Sequence, residues 1–496
     1  MKLRLIGHDD RYAMEQLQLC LFPQWPVELT QSPFDGDGAV SSLHRGRKWL
    51  TATAVLRLNG RTARATKRLP LEKETYPLRR RILQQSYYLA AMAFLDAPPP
   101  WGALSGVRPT KLTTRHLLNG GSRQSADRLL ADTFFVTPAR RQLCLDASEA
   151  AVQAKSLLSE KDISLYIGIP FCPSRCAYCS FVSQTTGSSG ALVEPYLEKL
   201  IRELALTGEL TRRSGCRVRT VYMGGGTPTT LSAGQMTRLM QAVAASFDLS
   251  GLLEYTVEGG RPDTLDTEKL RAIRAQGCGR MSINPQTMND AVLRAVGRPH
   301  TAAQTVAAYH QAVQAGFASI NMDLIAGLPG DTPASFADSL EQVLALGPSN
   351  VTVHTLALKK GAELFEKRGG LPSQQAVSQM VDGAAQRLRA AGYSPYYLYR
   401  QKYMSGSFEN VGWCRDRDVC LYNIYMMEEL QTIVSVGGGG MSKVMVSPTR
   451  LERFHNPKFP GDYLRQFDGV LEKKRALFAL VDALAQKGEP HASGTQ

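Results

Sequence analysis

Three cysteines lie close together in the run Ile169-Pro170-Phe171-Cys172-Pro173-Ser174-Arg175-Cys176-Ala177-Tyr178-Cys179-Ser180-Phe181, a C-x3-C-x2-C spacing. Three thiolates this close can hold three irons of a [4Fe–4S] cluster and leave the fourth iron open to another molecule. A ferredoxin-type loop would use C-x2-C-x2-C with a fourth cysteine. A structural zinc site would also want a fourth Cys or His nearby, which the loop lacks. On the loop alone, a zinc knuckle or a chance grouping stays open. The chain has nine cysteines, and those outside the loop are scattered (Cys20, Cys144, Cys216, Cys278, Cys414, Cys420). That is no secreted disulfide framework, and the expected compartment is the cytoplasm.

The elements around this loop alternate. Short β-branched runs at 163–169, 218–224, 253–258, 280–283, 319–325 and 350–357 are each followed by a helical stretch, at 192–209, 232–247, 267–277, 301–315 and 333–346, with a short one near 287–296. Repeated strand–helix units imply a parallel sheet with helices outside it. The residues with chemical potential fall at the ends of these strands, where barrel sites assemble. The second strand runs into Gly224-Gly225-Gly226-Thr227-Pro228, whose glycines let backbone approach a ligand. The third ends at Glu258, the fourth at Ser282-Ile283-Asn284-Pro285-Gln286, with Arg298 one helix later, and the fifth carries Asp323. The expected fold is therefore α/β with a partial (β/α)6 barrel.

Flanking parts read differently. Residues 1–158 have an α+β character: a hairpin within 49–66 about Asn59-Gly60, a helix from about Pro77 to Leu95, and helical patterns at 123–133 and 138–158. Residues 159–370 form the alternating part. Residues 371–496, helical at 373–391 and carrying Gly437-Gly438-Gly439-Gly440, are expected to form a smaller capping or substrate domain. The 496 residues are 43% hydrophobic and 21% charged, and no stretch approaches the length of a membrane span. A formal charge of +14 suits an acidic partner, nucleic acid or a polycarboxylate. No RNA-binding signature is evident, so nucleic acid is the disfavoured partner.

Segment by segment, the motifs resemble the oxygen-independent coproporphyrinogen III dehydrogenase family of radical S-adenosylmethionine (SAM) enzymes. The resemblance is close over about 163–330 and weaker to about 460. Gly106-Val107-Arg108-Pro109-Thr110-Lys111 and the Asn284–Met288 run are similar to the HemZ-like sub-type. The resemblance implies a [4Fe–4S] cluster on Cys172, Cys176 and Cys179, with SAM chelating the open iron. It implies that Tyr166 and Tyr178 flank the cluster and SAM, and that Gly225, Gly226, Thr227, Glu258, Gln286, Arg298 and Asp323 bind SAM. The implied reaction is oxidative decarboxylation of propionates of coproporphyrinogen III to vinyl groups, giving protoporphyrinogen IX. It also implies a reducing electron donor such as flavodoxin or ferredoxin. A substrate with four carboxylates would account for a basic protein, with Arg261, Arg400 and Lys402 as candidate propionate partners.

Two positions depart from that family. Phe181 stands where another cysteine is usual, and the Cys-Ser-Phe ending is similar to heme-trafficking relatives of the superfamily. Gly168 stands where Tyr-x-His-x-Pro would be usual. The trafficking relatives' H-N-x-x-Y-W element is missing, His455-Asn456-Pro457-Lys458-Phe459 being the nearest candidate. Three readings follow: a coproporphyrinogen dehydrogenase, a heme-delivery protein, or a radical-SAM enzyme on RNA.

Overall fold

The computed structural model describes residues 1–180, 184–358, 361–367, 369–401, 408–447 and 450–488. Two compact units emerge, one built on Met1–Ser148 and the other on Glu149–Ser405 with Glu409–Gln496.

The first unit contains β1 (Lys2–Ile6), α1 (Arg11–Leu21), β2 (Glu28–Thr30), β3 (Gly38–Arg45), β4 (Trp49–Leu58), β5 (Arg61–Pro70), α2 (Tyr76–Ala91), α3 (Thr110–Leu118), α4 (Arg123–Arg128) and the start of α5 (Pro138–Ser156). Its five strands lie in the order β2-β1-β3-β4-β5. The β4–β5 hairpin turns through Asn59 and Gly60, both at positive φ, as the Asn-Gly signal expects. Thr75 caps α2 by accepting from the Leu78 amide, with Pro77 in the first turn. Strict alternation along β4 buries Leu50, Ala52, Ala54 and Leu56 against α1 and α2.

The second unit contains β6 (Asp162–Ile169), β7 (Phe171–Cys172), β8 (Gln184–Thr185), α6 (Thr186–Ser189), α7 (Val193–Arg213), β9 (Arg217–Gly225), α8 (Ala233–Ser246), β10 (Glu254–Gly260), α9 (Thr267–Ala275), β11 (Arg280–Ile283), α10 (Asp290–Ala295), α11 (Ala302–Gln314), β12 (Ser319–Ala326), α12 (Pro333–Leu346) and β13 (Asn350–Thr355). Beyond these come α13 (Glu363–Lys367), α14 (Gln374–Ala390), β14 (Ser394–Arg400), β15 (Glu409–Cys414), α15 (Leu421–Glu428), β16 (Thr432–Gly437), β17 (Met441–Ser447), β18 (Arg450–His455), α16 (Pro460–Arg465) and α17 (Phe467–Gly488). Ser232, Asp266, Thr301 and Thr332 cap α8, α9, α11 and α12, which fixes where each strand hands over to its helix.

Six strands run parallel and in chain order, β6-β9-β10-β11-β12-β13, within an 11-stranded sheet of order β14-β15-β13-β12-β11-β10-β9-β6-β16-β17-β18. These are the six expected strand–helix units. Strand β6 buries Ile163, Leu165, Ile167 and Ile169 on one face, as expected where helices cover the sheet, while Asn321, Asp323, Thr352 and His354 put polar side chains within β12 and β13. The edges β14 and β18 do not pair, so the described strands form no closed barrel. The segment expected to be a separate capping domain instead extends this sheet. Strand β15 pairs antiparallel with β13, and β16 pairs parallel with β6. Hydrogen bonding along both outer strands of the six is what makes the C-terminal part continuous with the sheet.

Candidate functional site

At the C-terminal ends of the six strands lies a cavity of about 390 Å³. Its lining includes Cys172, Cys176, Cys179, Tyr166, Tyr178, Gly225, Gly226, Thr227, Glu258, Gln286, Arg298 and Asp323. All twelve candidates read from the sequence therefore meet in one place, although they come from six separate stretches of chain.

The cysteine loop is held by backbone. Strand β7 pairs with β8, the Thr227 amide donates to the Phe171 carbonyl at 2.7 Å, and the Gly226 amide donates to Ile169 at 2.8 Å. A Cβ on Gly226 would stand 2.4 Å from the Phe171 oxygen, so glycine is required for this approach. The Ala177 amide donates to Val296 at 3.0 Å, which ties the middle of the loop to the end of α10. Thr227 Oγ1 lies 3.5 Å from Cys172 Sγ. Phe181 lies outside the described residues.

The usual histidine at position 168 is absent for a steric reason. A Cβ on Gly168 would meet the Gly438 carbonyl oxygen at 2.7 Å. Tyr196 occupies the same junction, donating to the Gly168 carbonyl and accepting from the Gly438 amide, both at 2.6 Å. The glycine run thus packs beside the approach to the cysteine loop. It is anchored by buried Glu203, which accepts from the Gly437 amide at 2.8 Å, Tyr463 at 2.6 Å and Lys474 at 3.0 Å. Asn456 donates to Glu203 and to the Gly437 carbonyl, so the His455-Asn456 pair is part of this strap; His455 is exposed.

Behind the cavity wall formed by Tyr166 and Tyr222, Tyr422 completes a stack, with centroids 6.3 Å apart for Tyr166 and Tyr222 and 4.4 Å for Tyr222 and Tyr422. Tyr222 donates to Glu258 Oε1 at 2.6 Å, and the Gly225 amide lies 3.3 Å from Oε2. Burial pushes the Glu258 carboxyl up to about 7, against the opposing pull of the Tyr222 hydrogen bond. Asp323 behaves in the opposite way. Burial alone would raise it, but His354 at 3.6 Å, Asn321 at 2.7 Å and the Thr352 hydroxyl together hold it below the usual carboxylate range.

Gln286 has φ +71, a left-handed conformation rare for a side chain of its size. Strand β12 holds it there: its amide donates to the Asp323 carbonyl at 2.8 Å and its carbonyl accepts from Ile325 at 2.9 Å. Its side-chain Oε1, together with Ser282 Oγ and Asn284 Oδ1, is buried without a partner. All three residues line the cavity. Unpartnered buried polar atoms are costly, and their convergence marks where a polar ligand would complete the site.

Arg298 is buried, with both terminal nitrogens engaged and Nε without a partner. It donates to the Tyr178 hydroxyl at 2.8 Å and to the Asn284 carbonyl at 2.8 Å. Arg261 is closed on Asp263 at 3.0 and 2.7 Å and on Ser174 Oγ at 2.6 Å, so it is no free propionate partner. Arg400 is buried and partnered, and Lys402 lies outside the described residues. The sequence reading missed Arg175, Asn321, His354, Tyr397, Tyr399 and Asn410, which also line the cavity. His354, near the end of β13, could have been found by the strand-end rule that found Asp323. Among the described residues no three Cys, His, Asp or Glu side chains converge as one ion would need. A cubane has no such requirement, because each thiolate takes a different iron.

Residues 166–343 match the family model of the radical SAM superfamily. The chain is 37% identical over 409 residues to the oxygen-independent coproporphyrinogen-III oxidase-like protein HemZ of Bacillus subtilis, covering 81% of this chain and 82% of that one. It is 34% identical over 241 residues to the heme chaperone HemW of Lactococcus lactis, covering 48% of this chain and 61% of the chaperone. Among solved structures it is similar to the coproporphyrinogen III oxidase HemN of Escherichia coli, with TM-score 0.51 and 24% identity over 68% of this chain and 80% of that one. Among the described residues no helix is long and apolar enough to cross a membrane.

Proposed function

Because the chain belongs to the radical SAM superfamily, and within it to the oxygen-independent coproporphyrinogen-III oxidase-like proteins of HemZ type, we propose that it oxidatively decarboxylates propionates of coproporphyrinogen III to vinyl groups. The observation that carries this reading is the HemZ match, which covers 81% of this chain at 37% identity, whereas the HemW matches cover 47% to 61% of it. The family uses a [4Fe–4S] cluster and SAM, which when bound supply one-electron reduction and, through it, hydrogen abstraction from an unactivated carbon. The residues present fit both groups: three thiol side chains in one loop, a glycine cradle, and three unpartnered polar atoms facing the same cavity.

The chain's own residues then divide the work. Cys172, Cys176 and Cys179 hold the cluster. The Gly225 and Gly226 backbone and Thr227 cradle the methionine end of SAM, and Glu258 accepts from the ribose hydroxyls. Gln286 offers the acceptor that its strained backbone aims inward, and Asp323, kept ionised by His354 and Asn321, supplies a fixed charge. Arg298, just past α10, acts through Tyr178, by which it fixes the cysteine loop. Tyr166, stacked on Tyr222, would wall the cavity that takes the ligands. Of the cavity's described guanidinium groups, Arg175 has donors to spare beyond its bond to the Gly361 carbonyl, and we assign it to a substrate carboxylate. Close confinement of one propionate β-carbon is what the reaction asks of the protein.

A heme-delivery role is the second reading, favoured by the HemW similarity. A heme carrier needs an iron ligand, and the exposed His455 beside the structural Asn456 is a poor one. Anaerobic turnover of the reconstituted protein with coproporphyrinogen III tests the two. Dehydrogenase activity gives 5′-deoxyadenosine and CO2 together, with vinyl products by mass spectrometry. Stoichiometric heme binding, with SAM cleavage indifferent to coproporphyrinogen, would overturn the enzymatic reading.

A further inference from the structure

The excess positive charge is not where the cavity is. The first 148 residues hold 22 Lys and Arg against 12 Asp and Glu, a net +10, while the other 348 hold 36 against 32, a net +4. A tetracarboxylate substrate in the second unit therefore does not account for the basic character of the chain. Charge asymmetry of this kind points to a polyanion met by one part of the molecule.

Within the first unit the charge has a definite place. Helices cover one face of the five-stranded sheet, and β4 turns Trp49, Thr51, Thr53, Val55 and Arg57 to the other. On that face Arg57 stands opposite Thr62, Arg64 opposite Val55 and Arg68 opposite Thr51. Strand β1 adds Lys2 and Arg4 through their pairing with Gly38 and Val40. Arg57, Arg64 and Arg68 are all exposed, and among the described residues none is paired with a carboxylate. The five strands contain one acidic residue, Glu28, on the edge strand furthest from these arginines. Trp49 is 46% exposed at one end of the face.

We propose that this open face binds single-stranded nucleic acid. Arg57 and Arg64 are diagonal neighbours across the hairpin, which sets them about 7–8 Å apart at the backbone, within reach of consecutive phosphates. Guanidinium forks match phosphate geometry, and the threonine hydroxyls between them are ordinary phosphate donors. Trp49 supplies the flat apolar surface on which any base can stack. A duplex is a poor fit, because its major groove admits a helix or a two-stranded ribbon and not a five-stranded sheet. Unstacked bases of a single strand can spread over a sheet face. A membrane surface would call for an apolar face beneath the cations, whereas threonines fill the space between these arginines.

The test is fluorescence anisotropy of a labelled single-stranded RNA of about twenty nucleotides with the full-length, cluster-loaded protein, over about 50–200 mM salt. Loss of three phosphate contacts in the R57A/R64A/R68A triple variant should weaken binding more than tenfold at the lowest salt and reduce the log–log salt slope by about 2. W49A should weaken binding roughly tenfold and leave the slope unchanged. A charge-matched R212A/R213A/R271A variant, altered on exposed helix surfaces of the second unit, should bind like wild type. Thermal melts identify any variant that fails to fold, and W49A then carries the test without a charge change. Absence of RNA binding at about 100 mM salt overturns the proposal. So does equal loss in the charge-matched variant, which would make the attraction a matter of net charge. Binding to phosphatidylglycerol vesicles that depends on the same arginines, with RNA binding indifferent to them, also overturns it.

Discussion

Strand β10 carries two glutamates, Glu254 at its start and Glu258 near its end, and they live in opposite worlds. Glu254 is knitted into a buried network at the strands' N-terminal ends. It accepts from the Leu421 amide at 2.6 Å and the Tyr422 amide at 3.2 Å, and Arg280 lies 3.7 Å away. Arg280 also donates to Asn350 and to Asp418, and Ser319 and Asn350 donate to Asp418 in turn. Each of these four partners from β10 to β13 stands at the first residue of its strand. At the other end of the same strands, Ser282, Asn284 and Gln286 have polar atoms with no partner, and Glu258 is raised to about 7. One end of the sheet is tied by this charged network and the other gathers unpartnered polar atoms around a cavity, which is the division between stability and function expected of such folds.

Substitutions at the two ends should therefore fail in different ways. The largest contrast lies in the cysteines. Replacing any one of Cys172, Cys176 or Cys179 with alanine should abolish the cluster and turnover, read as iron content and loss of the brown chromophore. Changing Cys414 and Cys420 together, at the end tied by the charged network, should leave iron content intact; loss of the cluster there would end the three-ligand assignment. Next is Arg280→Ala, which strands buried Glu254 and frees the half-buried Asp418, and should cost about 3–5 kcal/mol in urea unfolding. An unchanged midpoint would show that the network is not what secures that end.

Glu258→Ala should act on binding instead, costing about 1–3 kcal/mol of SAM affinity by calorimetry while iron content stays full. Unchanged affinity removes Glu258 from the site. The last effect is on stability and has the opposite sign. Because the folded-state value of Glu258 lies above its unfolded value, its contribution is fully present below about pH 4.5 and is lost as pH rises through about 7. Glu258→Gln should therefore stabilise the ligand-free protein by about 1–3 kcal/mol at pH 8 and by much less at pH 5. Equal effects at both pH values would refute the raised carboxyl.

The parallel part was legible because its signals are local. A β-branched run followed by a helical repeat recurs along it, often with a capping residue between them, and each strand end is marked by glycine, proline or a polar residue. Strands β1, β3 and β14 to β18 escaped notice. Strands β15 and β16 join the sheet through distant segments, as when Thr432 comes beside Ile163, and β14 reads as an aromatic run, Tyr396-Tyr397-Leu398-Tyr399, rather than as an alternating strand.

Local spacing alone brought Cys172, Cys176 and Cys179 together, since eight residues of loop cannot separate three thiols far. Glu258, Gln286 and Asp323 could be named from their positions at strand ends, because a parallel sheet gathers those ends on one side. What they do there was decided only by the tertiary structure. Burial makes Glu258 hard to ionise, while His354 and Asn321 keep Asp323 charged in the same cavity. Arg261 looked like a free cation until the fold closed it on Asp263 and Ser174. The composition of the chain likewise contains its positive charge, but only strand register puts Arg57, Arg64 and Arg68 on one open face. Charge and ligand type are properties of residues, whereas ionisation, pairing and exposure depend on what the folded chain brings within a few ångströms.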